Sequence, residues 1–454
     1  MTERASIPPP PPPRPTPSRR ALLVAMAGSA RLAHALATVG IALGAAAFFL
    51  QRTLGWAGFL AAMVVALILM LLSFLARQDE VRWRALLPVS LLVFLLWATA
   101  SVIWSTYQWA TLAGLIYLFA FTLIGLFVAI SRDTIQIVRA FGDVLRVVLG
   151  LSLAIEIFSG ILIDMPLPFL AVHGNLGTLG PISGIEESRD QLGLIAIIGA
   201  ISFVTEHRTR SVPRLTSVLS MIVAGLCIVL TQSPVIAFGT VIVGIAALVI
   251  YLLRRVRADR RQIWQFVVLG LAAIGAAVLF LVRGPVITLF NAGGTIDNRL
   301  DVWRQVITFA SQNGLQGWGW IGPWRVSIFP FSWVFDHSPR PVASALNAFL
   351  DIWLQLGFIG VALFVGMVGL AFSRSWLLAG TRRSVVFAWP AAALVALIVV
   401  SLAESSILSD FGWMTFVICC VKASQELSWR NALRRPLVQE PLESRPVPGS
   451  KPSD

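Results

Sequence analysis

Arginines outnumber every other residue type that could do chemistry in the polar stretches of this chain. Arg299, Arg304, Arg325 and Arg340 fall within one long segment, and Arg189 ends another. A guanidinium stays charged at any working pH and can grip two phosphate oxygens in a bidentate fork. A group of them suits a diphosphate, and would neutralise the charge that develops as a diphosphate leaves. The plainer alternative is pairing with Asp297, Asp301 and Asp336, or contact with lipid headgroups. Candidates for proton transfer are close in sequence. His337, beside Asp336, could take a proton from an attacking hydroxyl near neutral pH. Asp351 could do the same, although a carboxylate at a helix start also complements the helix dipole. Glu156 sits inside an apolar run, where an ionisable group is costly and therefore a functional candidate, or else a hydrogen-bonded structural carboxyl. No glycine-rich loop followed by Lys and Ser/Thr is present, and no His, Cys or acidic cluster has metal-ligand spacing. No cofactor and no metal are therefore expected.

The elements that must position these residues are apolar. Of 454 residues, 57% are hydrophobic and 13% charged, about half the charged share of a soluble domain. Uncharged runs of about 18 residues or more make the solvent a bilayer. The reading is all-α, a polytopic transmembrane bundle of about twelve helices. Its spans are 33–50, 54–75, 86–103, 112–130, 144–163, 192–204, 215–230, 235–253, 266–282, 346–372, 385–402 and 407–421. A net charge of +13 would suggest nucleic acid in a soluble protein. Here the basic residues track topology, so no nucleic-acid partner is expected. With the amino terminus inside, only seven of the 35 Lys and Arg residues fall outside, which fixes both termini in the cytoplasm and the bundle in the cytoplasmic (inner) membrane. Residues 1–31 form a Pro/Arg-rich cytoplasmic tail, 32–427 the membrane domain, and 428–454 a second tail; both tails are too polar to order themselves. The large extracytoplasmic loop, 283–345, lies between spans nine and ten. It is rich in Trp and carries a helix-like pattern over 298–311, expected to lie along the membrane or cap the bundle. A lipid-linked sugar presents its diphosphate at this outer surface, where the unusual arginines lie. Cys227, Cys419 and Cys420 read as small apolar packing residues.

Several local patterns then resemble the O-antigen ligase and polymerase family, which includes exopolysaccharide polymerases. Leu95-Trp-Ala-Thr-Ala-Ser101-Val-Ile-Trp104-Ser105 resembles the family's third-span ending. Asn298-Arg299-Leu-Asp-Val-Trp303 resembles its Gly-Arg-x-x-x-Trp, and Gly317-Trp318-Gly319-Trp320 the Gly-aromatic-Gly that follows. Leu346-Asn347-Ala-Phe-Leu-Asp351, running on to Leu356-Gly357, resembles His-Asn-x-aromatic-Leu-acid…Leu-Gly. The resemblance covers most of spans three to ten. It implies a glycosyltransferase that moves a glycan from a polyprenyl-diphosphate carrier to a glycan or lipid acceptor, among membrane lipids and without metal or nucleotide. Arg299, with Arg304 and Arg189, would bind the donor diphosphate. His337, Asp336 or Asp351 would be catalytic, with Trp303, Asn347 and Glu156 supporting. Two positions depart from the family: Leu346 stands where His is usual, and Pro234 follows Ser233 where Arg is usual. Readings of another class are a transporter or flippase for lipid-linked glycan, which would suit twelve spans but lacks an internal repeat between halves, and an inactive envelope-assembly scaffold.

Overall fold

The computed structural model describes residues 26–77, 88–257, 293–338, 342–382 and 384–426, with a few isolated positions between 260 and 275. Every regular element among them is helical. In chain order the α-helices are α1 (Ala30–Ala45), α2 (Ala47–Ala76), α3 (Val89–Ala100), α4 (Gln108–Ser131), α5 (Thr134–Ile157), α6 (Arg189–Thr209) and α7 (Arg214–Leu230). They continue with α8 (Pro234–Arg255), α9 (Gly293–Gln312), α10 (Phe331–His337), α11 (Ala348–Thr381), α12 (Ala388–Ser401) and α13 (Asp410–Glu426). Among the described residues six helices, counting α5 with its continuation to Ile163, are long and apolar enough to cross a bilayer: α2, α4, α5, α6, α8 and α11. The chain is a multi-pass membrane protein. The expected ninth span, 266–282, lies mostly outside the described residues, as do the tails 1–25 and 427–454 and the start of the 283–345 loop.

Polar residues at the edges of apolar runs start these helices. Ser29 caps α1, Ser188 caps α6, Ser233 caps α8 with Pro234 in its first turn, and Asn347 caps α11 by accepting from Phe349 N and Leu350 N. Each side-chain oxygen satisfies an amide that has no partner within the helix. The buried core joins α4 to α13, α5 and α12 to α6, and α11 to α3 and α12. Val64, Ile68, Leu71 and Leu75 of α2 point outward, as residues facing hydrocarbon should.

The boundaries differ from the sequence reading in several places; α11, for one, runs to Thr381 rather than 372. The chain breaks at Ala46 rather than near residue 51, and α2 kinks again at Gly55, whose φ is 73°. Gln51 and Arg52 stay in the helix because one reaches the Tyr117 hydroxyl and the other covers the Phe48 ring. Helix α5 starts ten residues before the expected 144. Its charged turn is neutralised internally: Arg146 donates to Asp143, Glu206 and Ser220 and lies over Phe203.

Polar contacts gather at the two ends of the bundle. At one end Arg132 donates to Ala30 O, Lys422 to Arg132 O and Arg254 to Ala379 O. At the other end lie residues 164–190, the start of α8, the helices α9 and α10, the start of α11 and the connection 402–409. The expected amphipathic helix at 298–311 is α9, and it caps this end. Its Val302, Val306 and Ala310 are buried in a small second core with Ile321, Trp324, Phe331 and Leu354.

Candidate functional site

The first turns of α9 bring Arg299 down onto the end of the bundle. Only 5% of the residue is exposed. Its Nε donates to Ala403 O at 2.9 Å, and its Nη2 donates both to Asp190 Oδ2 at 3.2 Å and to Glu404 Oε1. Asp190, in the first turn of α6, also accepts from the Ser233 hydroxyl. One guanidinium thus ties together α9, α6, the cap of α8 and the 402–405 connection. Two buried carboxyls thus face one cation. Burial, reinforced by the Asp190 charge, pushes the Glu404 carboxyl well above the usual range, although Arg299 pulls it the other way.

Asn347 and Asp351 reach the same connection from α11. Asn347 Nδ2 donates to Leu402 O at 2.9 Å while its Oδ1 caps the helix. Asp351 is buried and accepts from Trp324 Nε1 and Gln355 Nε2, each at 2.8 Å, and from Ala345 N at 3.2 Å. Gln355 Oε1 accepts from Ile321 N and Gly322 N, so Asp351 and Gln355 pin the Trp-rich loop onto α11. Ser101 Oγ accepts from Trp320 N, Trp104 Nε1 donates to Gln316 O, and Trp303 Nε1 to Leu346 O. The four sequence patterns, scattered from residue 95 to 357, therefore meet at one end of the bundle.

The other expected residues spread around this node. Arg304 is paired with Asp301 at 2.8 Å, and its side chain is 75% exposed. Arg189 is half-buried and lies 3.4 Å from Gln232 O. His337 and Asp336 are exposed on α10; the imidazole stacks on Trp333 at 4.0 Å and is tied to Trp333 O through Nδ1. Gln305 donates to His337 O, which puts that contact about 9 Å along α9 from Arg299. Arg325 is exposed, and Arg340 falls outside the described residues. Glu156 is buried and accepts from Ser183 N at 3.0 Å and Gly184 N at 2.9 Å. This matches the hydrogen-bonded carboxyl weighed above, fastening the 164–188 segment to α5. Glu156→Ala should cost about 1–3 kcal/mol by leaving two buried amides without an acceptor, and Glu156→Gln much less. Thermal unfolding in detergent and protease resistance of 164–188 check this; equal losses in both variants would contradict it.

Sequence reasoning missed Asp190, Ser233, Gln355 and Glu404. One signal was available for Glu404: it is a lone carboxylate between the apolar runs 385–402 and 407–421. Glu186 was also missed. It is buried, and its Oε1 has no hydrogen-bond partner. Burial first, then the charges of Asp410 and Glu187, pushes its carboxyl well above the usual range. A carboxyl raised in the folded state stabilises the fold fully below its unfolded value, about 4.3. That contribution is lost as pH climbs through the folded value. The unfolding temperature in detergent should therefore fall as pH rises from about 4.3, and Glu186→Gln should flatten the fall. An unchanged slope in the variant would remove Glu186 as its source.

Residues 219–365 match the family model described as O-antigen ligase. The resemblance seen in the sequence patterns is thus shown over this stretch, which contains Arg299, Trp303, His337, Asn347 and Asp351 but neither Asp190 nor Glu404. No curated protein matches the chain.

Proposed function

We propose, from the O-antigen ligase match, that this protein transfers glycan from a polyprenyl-diphosphate carrier to a glycan or lipid acceptor at the outer face of the cytoplasmic membrane. The chain would cross about twelve times, with both termini inside. The observation that carries this reading is the convergence of the matched patterns around Arg299, at the end of the bundle opposite Arg132, Arg254 and Lys422. Lys and Arg excess marks the cytoplasmic end, so Arg299 would face outward, where a lipid-linked diphosphate lies at the surface. The exposed Arg304 and half-buried Arg189 would meet the donor first, and Arg299 would take the charge of the leaving diphosphate. Asp351 would act through the Trp-rich loop that it holds. His337 and Asp336, exposed on α10, would orient the acceptor. Exposed apolar helix faces would leave the prenyl tail in lipid.

The test is glycan transfer by purified protein in vesicles, from a polyprenyl-diphosphate donor, with neither nucleotide nor divalent metal added. Longer or newly anchored glycan supports the reading, and its length distribution separates polymerisation from ligation. No transfer from any of several donors, by protein that remains folded, would overturn it.

A further inference from the structure

We infer that Glu404 is the proton acceptor for the incoming hydroxyl, held against Arg299 until a donor diphosphate takes the guanidinium in its place. The inference rests on the proposed transfer and deepens it. Transfer from a sugar diphosphate to a hydroxyl needs a base close to the group that stabilises the leaving diphosphate. The carboxylates and imidazoles singled out in the sequence are poorly disposed for this. His337 is stacked and tethered at the surface, Asp351 accepts from an indole, an amide side chain and a backbone amide, and Glu156 holds two amides of another segment. Two carboxyls touch Arg299, and they differ in how they are held. Asp190 is fixed in the first turn of α6, where the helix dipole favours the anion, and is bonded by Ser233 as well as Arg299. Glu404 sits between α12 and the short 3-10 turn Ser406–Leu408, outside any helix, so a change in backbone torsions there can swing it away. Leu402, two residues before it, accepts from Asn347, which ties this connection to the start of α11.

A diphosphate brings more negative charge and the same bidentate geometry to a guanidinium as a carboxylate does. It can displace Glu404 while Asp190 keeps Arg299 in position. A carboxylate freed from its cation, and now next to Asp190 and the diphosphate, binds a proton more readily. The base is thus strengthened only when a donor is present. In the step, the acceptor oxygen bonds to the anomeric carbon and its proton passes to the Glu404 carboxylate. The bond from that carbon to the diphosphate oxygen breaks, and the electron pair leaves with the prenyl diphosphate, whose new charge rests on Arg299. When the diphosphate departs, Glu404 loses the proton to water and pairs again with Arg299.

The experiment compares the full-length protein with Glu404→Gln and Glu404→Asp in vesicles. It measures binding of a prenyl diphosphate lacking sugar, and donor KM and kcat for transfer. Glu404→Gln keeps an oxygen for Arg299 but removes the competing charge and the base. It should bind the probe several-fold more tightly, and its kcat should fall about 10²–10⁴-fold without a rise in donor KM. Glu404→Asp should recover part of kcat. A purely structural role predicts weaker probe binding in Glu404→Gln, and that result overturns the exchange. Transfer by Glu404→Gln within a few-fold of the parent overturns the role as base. A parent that transfers nothing overturns the proposed function, and the base with it; the binding arm alone then decides whether diphosphate and Glu404 compete for Arg299.

Discussion

Arg299→Ala should abolish glycan transfer and also loosen the end of the bundle. The guanidinium is the one cation bonded to Asp190 and Glu404 among the described contacts, and its Nε holds Ala403 O. Removing one side of a buried ion pair typically costs about 3–5 kcal/mol, because the remaining charge has neither water nor partner. Protonation of Glu404 once the guanidinium is gone would relieve part of that cost, so the lower part of the range is expected. Arg299→Lys should not restore transfer. An ammonium carries its three donors on one nitrogen, so it cannot fill the positions of both Nε and Nη2, nor present a planar fork to phosphate. Loss of activity alone would leave structure and chemistry confounded. The triple variant Arg299→Met, Asp190→Asn, Glu404→Gln separates them, because replacing a whole buried charged group by neutral residues is often neutral or stabilising. Its unfolding temperature should return towards the parent's while transfer stays well below that of Glu404→Gln alone. Recovery of both would mean that Arg299 serves the fold alone.

Most of the helical framework was legible because lipid imposes a length and a polarity on any span, and both leave a mark along the chain. The run 112–130 became Gln108–Ser131 and 235–253 became Pro234–Arg255, with the extra residues supplied by caps and by arginines in the last turn of α8. Errors came where charges were paired inside the fold. Residues 134–143, with Arg139 and Asp143, read as a loop, yet they are helical, and Arg146 one turn on bonds Asp143 together with Glu206 and Ser220 of α6 and α7. The site was legible in the same partial way. Arg299 stood out because the charge asymmetry of membrane proteins works against an outer arginine. Its partners did not, since they lie 109 and 105 positions away, and a pairing at that distance leaves no periodic trace. The exposed Arg304 and His337 had the right residue types, but only the structure separates them from the buried node.

Gly357→Ala should be among the most damaging single changes outside that node, and the reason is backbone geometry. Helix α11 is interrupted there: Gly357 has φ 70° and ψ −173°, a region open essentially to glycine alone. The interruption exposes backbone groups that the Trp-rich loop takes up. Trp318 N donates to Leu354 O at 3.0 Å, Gly319 N to Gln355 O at 2.8 Å and Phe358 N to Gly314 O at 2.8 Å. Trp97 Nε1 donates to Leu356 O at 3.0 Å. A Cβ on Gly357 would fall inside contact distance of the Leu315 carbonyl and the Gln316 nitrogen, which are backbone atoms and cannot swing away. Strain of about 1–3 kcal/mol then adds to displacement of the loop, so a total beyond about 4 kcal/mol is expected. The alternative open to the variant is to straighten α11 through this position. That would withdraw the carbonyls that hold Trp318 and Gly319, and with them the loop that Asp351 and Gln355 position, so transfer should fall even in protein that still folds. Gly366→Ala is the control, being an exposed glycine of the same helix with open space at its Cβ. It should be neutral or stabilising by up to about 1 kcal/mol. Unfolding temperatures of the two variants in one detergent should move apart, and a Gly357→Ala protein as stable and as active as Gly366→Ala would show that the interruption of α11 is dispensable.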